Sequence, residues 1–320
     1  MNGDLLRYGF MERALLAALL VGLTAPSVGI YMVQRRLALI GDGMGHVALV
    51  GVALGVLTTG QPVMTALVTA VAGAIIIELV RARGRASGDV ALAIMFYGGI
   101  AAGVVIISLA PGGTPANLNS YLFGAITTTS AADLTVFAVL AAVVLTVTLG
   151  MGPRLFAVSN DEEYARAAGL PVLPLNLLLA VITATTVVIS MRVVGLLLIS
   201  ALMVVPVATS LLLVGSFRAT SLLAVGIGMF AALGGTISSY YANTPSGGTI
   251  VLLAVALFTV TATLTTVRSR LRRDTHDEAE DHLHRHGDEC GHPVVPHDDH
   301  LDFVHDGHRH AAHGAHYDEH

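Results

Sequence analysis

The chain of 320 residues contains no lysine, so all 17 of its basic residues are arginine. A P-loop nucleotide-binding site uses a lysine to reach the β- and γ-phosphates. The polypeptide therefore cannot be its own P-loop ATPase, and an ATP-driven process would take its motor from a separate chain. The single cysteine, Cys290, likewise excludes an intrachain disulfide.

Charge is also scarce. Only 12% of the residues are charged while 54% are hydrophobic, and the mean hydropathy of +0.74 lies outside the range of ordinary soluble domains. Apolar stretches long enough to cross a bilayer recur along the chain. They are Leu15–Val33, Met44–Thr59, Pro62–Val80, Val90–Leu109, Ala131–Leu149, Val172–Ile189, Val193–Val214, Thr220–Tyr240 and Thr249–Val267. The pattern predicts an all-α polytopic membrane protein with eight or nine transmembrane helices, since the short stretch 44–59 also fits a re-entrant segment.

Arginines cluster between these stretches and predict the orientation in the membrane. The clusters are Arg35/Arg36, Arg81/Arg83/Arg85, Arg154/Arg166, Arg218 and Arg268/Arg270/Arg272/Arg273. With nine spans all of them fall on one side, which the positive-inside rule assigns to the cytoplasm, and Arg192 is the exception. We therefore expect a multi-pass protein surrounded by membrane lipid, with a cytoplasmic C-terminus and no nucleic-acid partner.

Only one of the 14 histidines, His46, precedes residue 276. It follows Asp42 by four positions, a spacing that places both side chains on one face of a helix. Polar pairs inside a membrane are costly and usually functional, and carboxylate with imidazole suits zinc, iron or manganese. Two ligands are too few for a complete metal site, so further ligands must come from elsewhere. The alternative is that Asp42 caps a helix that starts near Gly43 and that His46 is satisfied by this acid.

Other polar residues in the spans favour structural roles. Glu78 lies three residues before Arg81, and we expect these two side chains to pair locally. Asn176, Ser190 and Ser200 are expected to make hydrogen bonds between helices rather than to bind metal.

Residues 31–55 contain Arg-Arg, then Leu-Ile-Gly-Asp, a histidine four residues later and Gly-Val-Ala-Leu. This order resembles the signature of the zinc/manganese/iron-type ABC transporter permeases. The resemblance implies that Asp42 and His46 form the metal site in the translocation path. Gly43 and Gly45 depart from the alanine and serine common there. Three further segments, 161–178, 192–206 and 244–252, resemble the same family in the family's order.

The 161–170 segment predicts a short amphipathic helix. Asp161 is a candidate N-cap, Glu162 and Glu163 suit the first turn, and Gly169 with the following proline ends the helix. The resemblance implies that it is the coupling helix that docks on the ATPase subunit. The residues assigned to that role are Asp161, Glu162, Glu163, Ala165 and Gly169. The alternative is a solvated connector between two spans.

Residues 1–273 are predicted to form the permease domain and residues 274–320 a disordered His/Asp-rich cytoplasmic tail. Such tracts chelate transition metals loosely, and imidazole-rich ones favour zinc over manganese. The predicted auxiliary ligands are His282, His284, His286, His308 and His310. A dispensable tail with no role in transport is the alternative.

The resemblance thus implies the permease subunit of a bacterial-type importer in the cell membrane, without enzymatic activity or a permanently bound cofactor. Its expected cargo is a divalent transition metal, with zinc first and manganese second. A homodimer, two separate ATP-binding subunits and an extracellular or periplasmic metal-binding receptor complete the expected assembly. The alternatives are a stand-alone secondary metal transporter and an ABC permease for metal chelates. The absence of an HExxH motif argues against an intramembrane metalloenzyme.

Overall fold

The computed structural model describes residues 9–58, 60–84, 88–109, 124, 129–191, 194–196, 199–280, 291–297, 300–305, 308–313 and 316–319. These residues contain eleven helices and four strands. The helices are α1 Gly9–Gln34, α2 Ile40–Thr58, α3 Pro62–Ala82, α4 Gly88–Ser108, α5 Ala131–Gly150, α6 Gly152–Asn160, α7 Glu162–Ala167, α8 Val172–Ser190, α9 Ile199–Leu211, α10 Phe217–Ala242 and α11 Ser246–Glu280. The strands are β1 Val294–His297, β2 His300–His305, β3 His308–His313 and β4 His316–Glu319.

Seven of these helices are long and apolar enough to cross a membrane, and two shorter apolar helices cover 92–108 and 199–211. All nine coincide with the apolar stretches of the sequence, which confirms the predicted all-α polytopic class. The stretch that begins at residue 193 contains the shortest of these nine apolar helices, since α9 starts only at Ile199.

The chain divides into two compact units, residues 1–259 and 260–320. In the first unit α1 and α2 are more buried than α3 and α5. The buried share of the most apolar segment is 72% in α1 and 67% in α2, compared with 22% in α3 and in α5. Small residues permit this central position. A Cβ on Gly29 would lie 2.0 Å from the carbonyl oxygen of Met203 on α9, and one on Gly51 would lie 2.4 Å from Cα of Ala66 on α3.

The described part of the tail contains the end of one helix and four strands. Helix α11 continues to Glu280, and the strands β1–β4 form an antiparallel sheet in that order. The division into a permease domain of residues 1–273 and a disordered tail from residue 274 stays a prediction.

Candidate metal site and coupling segment

Asp42 and His46 lie in the first two turns of α2. The helix starts at Ile40, so Asp42 occupies its first turn rather than its N-cap, and the capping alternative does not describe this helix. Oδ1 of Asp42 and Nε2 of His46 are 3.8 Å apart, so the two side chains share a face as the i,i+4 spacing predicts. This separation is longer than a hydrogen bond. His46 Nδ1 is buried and has no hydrogen-bond partner among the described residues.

A cleft of about 350 Å³ opens beside this pair. Its lining is mostly apolar and consists of Leu39, Asp42, Leu92, Ala93, Phe96 and Tyr97. The side chain of Asp42 is 26% exposed and that of His46 only 8%. Asp42 therefore meets the cleft while His46 lies behind it, with its ring centroid 4.3 Å from that of Phe96 in an edge-on contact.

Glycines hold this end of α2 close to its neighbours. A Cβ on Gly99 of α4 would lie 2.8 Å from the carbonyl carbon of His46, and one on Gly45 would lie 3.1 Å from the carbonyl oxygen of Leu196. Gly43 is different, because the nearest atoms to its Cβ position, on Met95, are 3.9 Å away. Of the two departures from the family pattern, only Gly45 is thus in a tight contact.

The two donor atoms are close to the spacing that one ion requires. A tetrahedral zinc with ligands at about 2.0–2.2 Å holds neighbouring donors about 3.4 Å apart, and the observed 3.8 Å needs only a small closure. Among the side chains that the structure describes, no group of three or more His, Cys, Asp and Glu residues could hold a metal ion. The pair can therefore offer two ligands, and the others must be supplied from outside this set.

A second polar cluster joins four helices by way of two arginines and two glutamates. Arg35 follows α1, Glu78 and Arg81 lie on α3, and Glu162 opens α7. Arg81 Nη2 donates to Glu78 Oε1 at 2.7 Å and to Glu162 Oε1 at 2.5 Å. Arg35 Nη2 lies 3.2 Å from Glu162 Oε1 and 3.4 Å from Glu78 Oε1, and Asn176 of α8 donates to Glu162 at 3.0 Å. We call these five residues the charge network.

Sequence reasoning found only one pair of this network. Local pairing of Glu78 with Arg81 is confirmed, and Asn176 makes a hydrogen bond to another helical segment as expected. The roles of Arg35 and Glu162 were missed, because these residues lie 127 positions apart in the chain. Ser190 and Ser200 differ from expectation, since their buried hydroxyls have no hydrogen-bond partner among the described residues.

Burial and neighbouring opposite charges shift the pKa values of Glu162 and Arg35 in opposite directions. Burial by itself would raise the pKa of Glu162, but the hydrogen bond and charge of Arg81, together with Arg35, hold it below its usual value. Burial lowers the pKa of Arg35 although both glutamates oppose that shift. Arg35 Nε and Nη1 are buried without a hydrogen-bond partner among the described residues. Its guanidinium is therefore only partly satisfied in this arrangement.

The predicted short helix is present as α7. Asp161 caps it by accepting hydrogen bonds from the backbone N–H groups of Glu163 and Tyr164, both at 2.9 Å. Gly169 ends the turn with a φ of 78°, a left-handed conformation that glycine adopts without strain. Ala165 is buried and Glu162 turns toward the network, whereas Glu163 is exposed.

Tyr164 is a further residue of α7 that sequence reasoning missed. Its side chain is 68% exposed, beside the exposed Glu163. A large aromatic residue next to an acid on the outer face of a capped helix is a recognisable signal for a contact surface.

The predicted tail ligands fall in two groups. His282, His284 and His286 lie outside the described residues. His308 and His310 are both in β3.

Comparison with known proteins accounts for the membrane part of the chain. The model of the ABC 3 transport family matches residues 7–265. "Probable metal transport system membrane protein" of Treponema pallidum (strain Nichols) is 32% identical over 263 residues, which cover 82% of this chain and 98% of that protein. "Manganese transport system membrane protein MntC" of Halalkalibacterium halodurans is 31% identical over 255 residues, covering 80% of this chain and 87% of the relative.

The fold is also similar to a solved structure titled "PsaBC from Streptococcus pneumoniae in complex with Fab". The TM-score is 0.72 at 30% sequence identity, and the match covers 81% of this chain and 92% of that chain. The polytopic helical architecture, the order of its motifs and these matches lead to one conclusion: this chain belongs to the ABC 3 transport family, as a membrane permease of ABC metal transport.

Proposed function

We propose that the chain is the permease subunit of an ATP-driven importer and passes a divalent transition metal through a site built on Asp42 and His46. The observation that carries this proposal is the pair itself, with donor atoms 3.8 Å apart beside an otherwise apolar cleft. A partly exposed carboxylate and a buried imidazole are costly in a membrane, and a cation offsets that cost.

The choice of metal rests on donor chemistry. One carboxylate oxygen and one imidazole nitrogen suit zinc, manganese and iron, so this pair alone does not separate them. The relative from H. halodurans is named for manganese, while the histidine-rich tail favours zinc. We keep zinc first and manganese second as the cargo of this chain.

The missing ligands are proposed to come from a second copy. In a homodimer with the path at its axis, each protomer would contribute one carboxylate and one imidazole, which gives the four ligands of a tetrahedral ion. The half-open position of Asp42, which is 26% exposed in the single chain, supports this arrangement.

Coupling to ATP is assigned to α7 and the charge network. The exposed Tyr164 and Glu163 would contact a separate ATP-binding subunit, since this chain without lysine has no P-loop of its own. Glu162 on the same helix is bonded to Arg35, seven residues before Asp42. Movement of α7 would therefore pull on the segment that leads into the metal site.

The remaining partners follow from the same role. A metal-binding receptor would deliver the ion from outside, and the arginine clusters would place α7 and the C-terminus in the cytoplasm.

Uptake measurements test the site assignment. Cells that depend on this importer would carry Asp42→Asn or His46→Gln. We expect zinc and manganese accumulation to fall by more than about tenfold, because each substitution removes one of the two proposed metal ligands. Asp133→Asn is the matched control, an acid in the first turn of α5 that does not line the cleft. Uptake at the level of the unmodified protein in both site variants would refute the assignment.

Two further experiments distinguish an ATP-driven importer of the free ion from a secondary transporter and from a chelate permease. Accumulation that continues when the ATP-binding chain is deleted would indicate a secondary transporter. Variants that lose uptake of the free ion but retain uptake of a metal chelate would indicate a chelate permease.

A further inference from the structure

Tyr97 lies near the middle of α4, which runs from Gly88 to Ser108. At a rise of about 1.5 Å per residue, the two ends of the helix are about 14 Å and about 17 Å away from it. The hydrocarbon core of a bilayer is about 30 Å thick, so Tyr97 is close to the midplane. Its side chain is nevertheless 70% exposed in the single chain.

The other tyrosines that the structure describes in apolar helices have different surroundings. Tyr31 is buried, and its hydroxyl donates to the carbonyl oxygen of Thr148 at 3.3 Å. Tyr240 and Tyr241 lie in the last turn of α10, a position typical of the aromatic belt at a membrane interface. The Tyr97 hydroxyl has no hydrogen-bond partner among the described residues. Because a hydroxyl without a partner is costly in hydrocarbon, we expect it to face a polar path rather than lipid.

Contacts of neighbouring residues place Tyr97 at the depth of the metal pair. The ring centroids of Phe96 and His46 are 4.3 Å apart, and a Cβ on Gly99 would lie 2.8 Å from the carbonyl carbon of His46. Tyr97 itself lines the cleft together with Asp42. The phenol and the carboxylate therefore border the same space.

A hydroxyl at this position extends the donor set of the pair. In the proposed homodimer two Asp42 carboxylates and two His46 imidazoles provide four ligands, the number that zinc prefers. Manganese favours an octahedral arrangement rich in oxygen ligands. The phenol oxygen has lone pairs that can face a cation, and two copies of Tyr97 would bring the donor set to six.

We propose that Tyr97 is a specificity-determining residue of the path, whose hydroxyl oxygen replaces one water molecule of an octahedral ion, such as manganese, at the site of Asp42 and His46. The inference rests on the proposed transport function and on its homodimer. The pair binds either ion, and Tyr97 decides how well an ion that needs more than four ligands is accepted.

Removal of the single oxygen atom tests this role. Tyr97→Phe keeps the ring and its edge-on contact with Phe96, whose centroid is 5.4 Å away. We expect manganese uptake by the complete importer to fall by more than about fivefold, while zinc uptake changes by less than about twofold. Tyr241→Phe is the matched control. It removes the same atom from a tyrosine that is 52% exposed but does not line the cleft, and it should leave both uptake rates unchanged.

The ratio of manganese to zinc uptake decides the outcome. Unchanged rates for both metals in Tyr97→Phe would overturn the proposal, and so would an equal fall for both, because a purely structural role does not distinguish the ions. Asp42→Asn is measured in parallel to keep the two proposals apart. If it abolishes uptake while Tyr97→Phe leaves the ratio unchanged, the metal pair stands and the role of Tyr97 is refuted. If Asp42→Asn retains uptake, the transport site itself is refuted.

Access to water provides a test that does not depend on transport. In a chain with Cys290→Ser, the variants Tyr97→Cys and Val139→Cys are compared in membranes for their reaction with a charged, membrane-impermeant thiol reagent. Val139 is the matched control, since it is near the middle of α5 and 59% exposed. We expect Tyr97→Cys to react more than about tenfold faster, because a thiol in apolar surroundings does not ionise, and manganese should slow that reaction. Equal rates in the two variants would refute the assignment of Tyr97 to the path.

Discussion

At the scale of single residues, two glycines of the central helices have opposite surroundings. A Cβ on Gly29 would meet the Met203 carbonyl oxygen at 2.0 Å, while the Cβ position of Gly43 has no atom nearer than 3.9 Å. Gly29 sets how closely α1 approaches α9, whereas Gly43 only lowers the intrinsic stability of α2.

Gly29→Ala should therefore destabilise the protein by about 1–3 kcal/mol, because the backbone of one helix must shift. Gly43→Ala serves as the control and should be neutral or stabilising by up to about 1 kcal/mol, since alanine favours helix. Thermal unfolding in detergent measures both. Equal destabilisation by the two substitutions would contradict the packing described for α1.

The metal pair is also a matter of individual residues. The i,i+4 spacing of Asp42 and His46 was sufficient to place them on one face, and the structure confirms that placement. The neighbours of the pair were not predictable in the same way. Phe96, whose ring lies against His46, is on a different helix and has no unusual feature in the sequence.

At the scale of elements, α7 is a capped helix fastened to the membrane helices by Glu162. The charge network contains two positive and two negative side chains, so loss of one glutamate leaves two arginines facing one acid. An unpaired charge that is largely buried is costly, and Arg35 has only 3% of its side chain exposed.

Glu162→Gln and Arg81→Gln should each reduce metal uptake severalfold, and the double variant should lose less than the sum of the two effects, because both remove the same ion pair. Arg83→Gln, two residues away and exposed, is the control and should retain uptake. Independent, additive effects of the two network substitutions would show that the pair does not act as a unit.

At the scale of the whole molecule, the family match and the tail occupy different parts of the chain. The match covers residues 7–265, and α11 ends at Glu280. The four strands follow after that point. We therefore expect the transport function proposed for the membrane helices to persist without the sheet.

Ending the chain after Glu280 should leave zinc and manganese uptake within about twofold of the full-length level, because all eleven helices of the described residues remain complete. Zinc bound per purified chain should fall at the same time, since twelve of the 14 histidines lie after residue 280. Uptake assays and metal analysis on the same preparations provide both values. Loss of uptake by a truncated chain that still reaches the membrane would show that the tail takes part in transport.

The sequence by itself determined the class of the protein, the positions of its apolar stretches, the short helix capped by Asp161 and the shared face of Asp42 and His46. All of these depend on interactions within a few residues, because a helix satisfies its own backbone hydrogen bonds and fixes the relation of positions four apart. Only the tertiary structure decided that Arg35 meets Glu162, 127 residues away, and that the strands of the tail pair in the order β1-β2-β3-β4. Such contacts depend on how separate elements pack or pair, and local composition does not contain that information.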